Sequence, residues 1–198
     1  MRVRDRDLDL ALEQARLGHE SGMADLWHAL NPMVLRYLWV IVGQSAEDVA
    51  SEAWLQAARD VHGFRGNAAG FRVWLFRVAR HRALDELRRS GSRLEDPAGL
   101  TAADELVAPD DPAGEAIERL ATRRALRLIA GLPPDQAEAV LLRAVAGLDV
   151  AQTADVLGKR PGAVRVAAMR GLRRLAATLT AEQGTAPAAE QTAKEVAQ

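Results

Sequence analysis

No cysteine occurs among the 198 residues, which excludes a disulfide frame, a thiolate nucleophile and a Cys-type zinc site. Lysine is almost missing too: Lys159 and Lys194 are the two, so nearly all positive charge is arginine. Arginine's planar fork suits phosphates and guanine edges, but a GC-rich genome produces the same bias, so the excess of arginine does not by itself mark a nucleic-acid binder. Aromatic residues make up 4% of the chain. Trp27, Trp39 and Trp54 precede a basic segment and Trp74 lies within it, so an aromatic core belongs to the first half. No apolar run approaches the roughly 20 residues of a membrane-spanning helix. The start, Met1-Arg-Val-Arg-Asp-Arg-Asp, alternates charges and lacks the apolar centre of a secretory leader. A cytoplasmic protein without membrane insertion is the expectation.

Enzyme signatures are missing as well. There is no His-Glu-x-x-His, no Walker loop and no Gly-x-Gly-x-x-Gly, and Gly63, Gly66 and Gly70 have the wrong spacing for a phosphate cradle. The four histidines (His19, His28, His62, His81) are scattered. The sequence thus predicts no enzyme, no catalytic or metal-ligating set and no cofactor.

What is present is a strong segregation of charge. From Arg59 to Arg93 there are nine arginines against three acids, while the whole chain carries a net charge of -1. A local excess of this kind marks a surface built for a polyanion. Within it, Phe64 to Gly70 reads as a loop, because Gly63, Gly66, Asn67 and Gly70 break any helix. The helix that follows places Phe71, Trp74, Leu75 and Val78 on a buried face. Arg77, His81 and Arg88 share another flank, and Arg65, Asn67 and Arg80 complete the polar set on loop and helix.

Helical periodicity runs through the rest. A first helix from about Asp5 to Leu17 buries Leu8, Leu12 and Ala15. A second spans Met23 to Leu30, and after Pro32 a third carries Val34, Leu35, Leu38, Trp39 and Val42 to a stop at Gly43. Ser45 is expected to cap a fourth, with Asp48 as capping-box partner. Its buried side is Val49, Ala53, Ala57 and Val61, and Asp48, Glu52 and Gln56 form an acidic ridge on another face. From Leu94 to Glu118 there are eight acids, no base and three prolines, the composition of a solvated, extended linker. Ile117, Leu120 and Leu128 then mark a helix to about Ala130, Pro134 opens another, and Asp149 caps a short one that ends near Leu157. The last begins at Pro161 with Val164, Ala168, Leu172, Leu175 and Leu179 as its apolar stripe. No strand pattern competes.

Ala154, Gly158 and Val164 supply what a helix-turn-helix needs: a small residue for close approach, one that tolerates positive φ in the turn, and an apolar anchor. Arg165, Arg170 and Arg173, with the unexpected apolar Val166 and Met169, lie on the outward face of the second helix, and Arg160 stands at its start. Phosphates and base edges, thymine methyls included, are the natural targets of such a face.

In this order, Ala46-Glu-Asp-Val-Ala-Ser-Glu-Ala-Trp-Leu, the stretch Phe64-Arg-Gly through Arg89, Leu132-Pro-Pro, and Ala154-Asp-Val-Leu-Gly with Gly162-Ala-Val-Arg resemble the RNA polymerase sigma factors of the extracytoplasmic-function group. The resemblance implies an all-α protein of two small helical domains. It divides into an N-terminal helix over 1–19, a region 2-like domain over 20–93, an acidic flexible linker over 94–115, a region 4-like helix-turn-helix domain over 116–180 and a disordered tail over 181–198. It further implies that Asp48 and Glu52 bind core RNA polymerase, and that Arg65, Asn67, Arg77, Arg80, His81 and Arg88 melt and read the minus-ten promoter element. Arg160, Arg165, Val166, Met169, Arg170 and Arg173 would read the minus-thirty-five element. The implied partners are core polymerase and promoter DNA, with an anti-sigma factor as a third left open. A stand-alone helix-turn-helix regulator and a non-initiating sigma-like interaction protein are the alternatives.

Overall fold

The structure is a computed structural model that describes residues 5–91 and 114–184, with side chains for 6–91 and 120–181. Its elements are eight α-helices: α1 (Asp5–Arg16), α2 (Glu20–Val42), α3 (Ala46–Asp60), α4 (Ala68–Ser90), α5 (Gly114–Ala130), α6 (Pro134–Ala144), α7 (Val150–Leu157) and α8 (Pro161–Gly184), with 3₁₀ turns at Gly43–Ser45 and Val61–Gly63. There is no strand among the described residues. None of their helices is long and apolar enough to cross a membrane. The linker expected over 94–115 falls almost wholly outside the described residues. So does the tail beyond 184, although α8 itself runs past the expected end at 180.

The first unit packs α1, α2 and α3 around α4. Phe71, Leu75, Phe76, Ala79 and Ala83 of α4 are completely buried, a wider apolar face than the stripe predicted, because α4 is covered on several sides. Trp74 is half-buried instead, against Phe64 and Phe71. Where the sequence predicts two helices separated at Pro32, α2 is continuous with that proline inside it. Leu26, Leu30, Val34 and Leu38 follow each other at i+4, each at most 1% exposed. One uninterrupted face buried on both sides of Pro32 outweighs the lost N–H and the ring clash, about 3 kcal/mol. Nor does Ser45 cap α3; its hydroxyl bonds to Glu86 of α4 at 3.3 Å.

The second unit is α5 to α8. Pro134 opens α6 as expected. The buried face of α5 is Leu126 and Ile129, while Leu120 is 63% exposed, so the predicted stripe was rotated. The same happens on α8, where Val164 is buried and Leu172 is 55% exposed. Gly171 takes the inner position: a Cβ there would lie 2.8 Å from Val140 Cγ2 and 3.3 Å from Leu132 Cδ1. The crossing of α6 and α8 is close because a glycine lies between them.

Candidate nucleic-acid interface

The loop before α4 is short and firmly held. Asn67 is the N-cap of α4, its side-chain oxygen accepting from Gly70 N at 3.0 Å, so helix begins at Ala68 and the predicted loop ends three residues early. A second acceptor comes from far along the chain: Asp9 Oδ1 of α1 takes the Ala68 N–H at 2.7 Å. Arg16 of α1 donates to the Gly66 carbonyl, its guanidinium carbon lies 5.7 Å from the Phe64 ring centroid, and its own carbonyl meets His62 Nδ1 at 2.9 Å. Phe64 closes the underside against Phe71 and Trp74. With the backbone so fixed, Arg65 is exposed, and among the described residues its guanidinium reaches the carbonyls of His62 and Phe64 at 3.5 and 3.4 Å. Sequence reasoning missed Asp9 and Arg16, since a polar residue that braces a distant loop looks like any other on the wet face of a helix.

The polar residues of α4 do not share one fate. His81 and Arg88 are exposed, and Arg88 pairs with Asp85 one turn earlier at 2.6 Å. Arg77 and Arg80 instead meet the second unit. Arg80 Nε donates to Glu138 Oε1 of α6 at 2.8 Å and Nη2 to Oε2 at 3.3 Å, while Arg77 Nη2 meets Asp155 Oδ2 of α7 at 2.6 Å. Tyr37 of α2, wholly buried, donates its hydroxyl to Glu138 Oε1 at 3.0 Å. Burial first, then the Glu138 charge, hold the Tyr37 phenol well above its ordinary range, so it remains a donor. Burial pulls the Arg80 guanidinium down, but its hydrogen bonds to Glu138 and that carboxylate's charge outweigh this and raise it.

On α3 the acidic ridge divides too. Asp48 is exposed, whereas Glu52 faces Arg82 and Arg89 of α4 at 3.9 and 3.7 Å, and Gln56 accepts from Arg82 at 3.0 Å. The other edge of α3 forms with α2 an open groove of about 620 Å³, lined by Met23, Trp27, Leu35, Glu47, Ser51 and Leu55 among others. Trp27 and Leu55 are 42% and 56% exposed there. Trp54 in its floor donates to Asn31 at 3.0 Å.

The helix-turn-helix is built locally. Asp149 and Gln152 form a reciprocal capping box on α7, Gly158 ends it at φ 63°, and Val164 anchors α8 with no exposure. Arg160, Arg165, Val166, Met169, Arg170 and Arg173 are all exposed on α8 or immediately before it. Leu172 joins them. With Val140, Arg143 and Val150, three of these (Arg165, Met169, Arg173) and Leu172 line a second groove of about 600 Å³. Lys159 is held by Asp135 of α6 at 2.5 Å.

Residues 26–93 match the family described as Sigma-70 region 2, and residues 115–175 that described as Sigma-70, region 4. The chain is 35% identical over 172 residues to the ECF RNA polymerase sigma factor BldN of Streptomyces coelicolor, a match that covers 85% of this chain and 64% of that relative. It is 32% identical over 181 residues to the ECF RNA polymerase sigma factor SigD of Mycobacterium tuberculosis, covering 88% of this chain and 85% of the relative. Among solved structures, CnrH in complex with the cytosolic domain of CnrY is similar in fold, with a TM-score of 0.60 at 21% identity over 88% of this chain and 98% of that one.

Proposed function

Since this chain belongs to the sigma-70 family of RNA polymerase sigma factors, in its extracytoplasmic-function group, we propose that it binds core polymerase through one face, melts the minus-ten element with a second and reads the upstream element with a third. The helix-turn-helix carries the reading: a capped α7, a left-handed Gly158 and six exposed candidate side chains gathered at α8. A helix so presented enters a major groove with its outward side chains toward base edges. Arg160, Arg165, Val166, Met169, Arg170 and Arg173 are those side chains.

Melting falls to the first unit. Opening duplex DNA costs about 1.4 kcal/mol of stacking per step, so a protein without ATP must hold unpaired bases and their backbone to favour the open form. Arg65, displayed by the braced loop, with His81 and Arg88 on α4, contacts the separated strand, and Arg77 and Arg80 join them when the two units part. Asn67 sets the loop's exit into α4. The core polymerase meets α3 through Asp48 and the adjoining α2–α3 groove, where Trp27 and Leu55 supply the exposed apolar area that binding surfaces need. Glu52 contributes through the orientation of Arg82 and Arg89.

In this reading the domains are 20–93 and 116–180, the chemistry of RNA synthesis stays with the polymerase, and the protein acts in the cytoplasm on promoter DNA. An anti-sigma factor is a further partner; the complex with CnrY is a property of CnrH. Transcription with purified core polymerase and start-site mapping tests the whole reading. Addition of the chain should produce defined starts that core enzyme alone does not. Arg165→Ala and Arg170→Ala should each relax upstream preference by about 1–3 kcal/mol per lost base contact. Tight promoter binding without any core-dependent transcript would select a stand-alone regulator instead.

A further inference from the structure

Two arginines assigned to DNA are already occupied by anions. Arg80 makes a forked pairing with both oxygens of Glu138 at 2.8 and 3.3 Å, the geometry a guanidinium offers equally to a carboxylate or a phosphate. Arg77, almost one turn earlier, meets Asp155 at 2.6 Å. Glu138 is 8% exposed, one of three buried polar or charged residues among those described. Its side-chain partners, Tyr37 and Arg80, both belong to the first unit. Among the described residues, no side chain of its own helical unit bonds to this carboxylate. A buried ion pair is a weak source of stability, because desolvation offsets the attraction, and once the units part both charges regain water.

We propose that Glu138 and Asp155 form a latch: as internal surrogates for phosphate they hold the free chain closed, so that the Arg77–Arg80 flank of α4 takes up DNA only after α6 and α7 have moved away. The inference rests on the assignment of those two arginines to DNA. A chain that is mostly latched binds DNA with an apparent affinity reduced by the fraction that is open.

The full chain tests this through Glu138→Gln with Asp155→Asn. Dyes on Ala24→Cys and Ala177→Cys, the sole thiols in a chain with no cysteine, report the separation of α2 and α8. Anisotropy with a mixed-sequence single-stranded DNA oligonucleotide reports backbone binding. Glu20→Gln with Asp25→Asn, both exposed and outside the contact, makes the same change of charge. The latch predicts that the first pair lengthens the dye separation and tightens DNA binding about tenfold beyond the control pair. An unchanged separation, or opening with no gain over the control, overturns it. Should Glu138→Gln disturb helicity by circular dichroism, Asp155→Asn alone, at the exposed contact, must move both readouts the same way by a smaller amount; no movement overturns the latch. The underlying assignment is judged apart, by Arg77→Ala with Arg80→Ala in the opened variant: lost DNA affinity there keeps it, unchanged affinity removes it whatever the dyes report.

Discussion

A methyl group at Gly22 would lie 2.4 Å from the Ala15 nitrogen and 2.5 Å from the Ala11 carbonyl oxygen. Both are backbone atoms of α1, so no rotamer change relieves the clash and the helix itself must move. At Gly171 the same methyl meets side-chain atoms, Val140 Cγ2 at 2.8 Å, Leu132 Cδ1 at 3.3 Å and Gln136 Cβ at 3.4 Å; the leucine end can turn aside, but the buried, β-branched valine yields only with a shift of α6. Gly22→Ala should therefore cost about 1–3 kcal/mol through overpacking, whereas at Gly171 the gain in helix propensity, up to about 1 kcal/mol, offsets part of the crowding and leaves a smaller loss. Urea denaturation of the two variants checks the order; equal losses would mean that α1 is not seated as described. Charge reversal separates two other residues. Asp48→Arg should weaken core-polymerase affinity at a cost in stability of no more than about 1 kcal/mol, because Asp48 is exposed and its charge acts on the fold only through the first turn of α3. Glu52→Arg should also lower stability, by about 0–1 kcal/mol as for exposed pairs generally, since it places a third cation beside Arg82 and Arg89. Titration of core enzyme together with thermal melting distinguishes the two.

At the scale of elements, α1 braces the loop that α4 follows. Its apolar side packs Leu8, Ala11, Leu12 and Ala15 into the core, and its polar side sends Asp9 to the first turn of α4 and Arg16 to Gly66. Losing the Asp9 acceptor should cost about 1 kcal/mol, as other caps do. If the loop must be held to meet unpaired bases, Asp9→Ala and Arg16→Ala will slow promoter opening with core polymerase while leaving core affinity intact. Asp9→Asn, which keeps an acceptor oxygen, should restore the rate. A 2-aminopurine base at the opened step reads it, and normal opening by both alanine variants would reduce α1 to a packing element.

For the whole molecule, the buried residues of the two units form one continuous core, while their assigned tasks are separate. A fragment of residues 1 to about 95 with core polymerase should open a promoter that carries a premelted minus-ten bubble, because the loop and α4 need nothing from α8 once the strands are apart. Fully duplex promoters should need the complete chain, since upstream contacts supply free energy that offsets melting. In that fragment Arg77 and Arg80 lack their carboxylate partners. It should accordingly bind single-stranded DNA more tightly than the complete chain does, and weaker binding by the fragment would contradict the division of tasks.

The sequence by itself determined whatever is settled within a few residues. Asp149 with Gln152, Gly158, Pro134 and the i+4 spacing of Val49, Ala53 and Ala57 act on their own turn of helix, so their outcomes could be read without coordinates. The exposed candidate side chains of α8 were legible for the same reason, although Leu172 of the expected buried stripe is exposed with them. Tertiary structure alone decided what depends on which surfaces meet. It ran α2 through Pro32, put Gly171 rather than Leu172 against α6, and turned Leu126 and Ile129 of α5 inward. It also diverted Ser45 from its cap to Glu86, brought Asp9 to Ala68 and closed Arg80 on Glu138. Periodicity tells a side chain's angle around its own axis. The partner at that angle is chosen by burial and hydrogen bonding summed over helices distant in sequence, which leaves no mark on any single one of them.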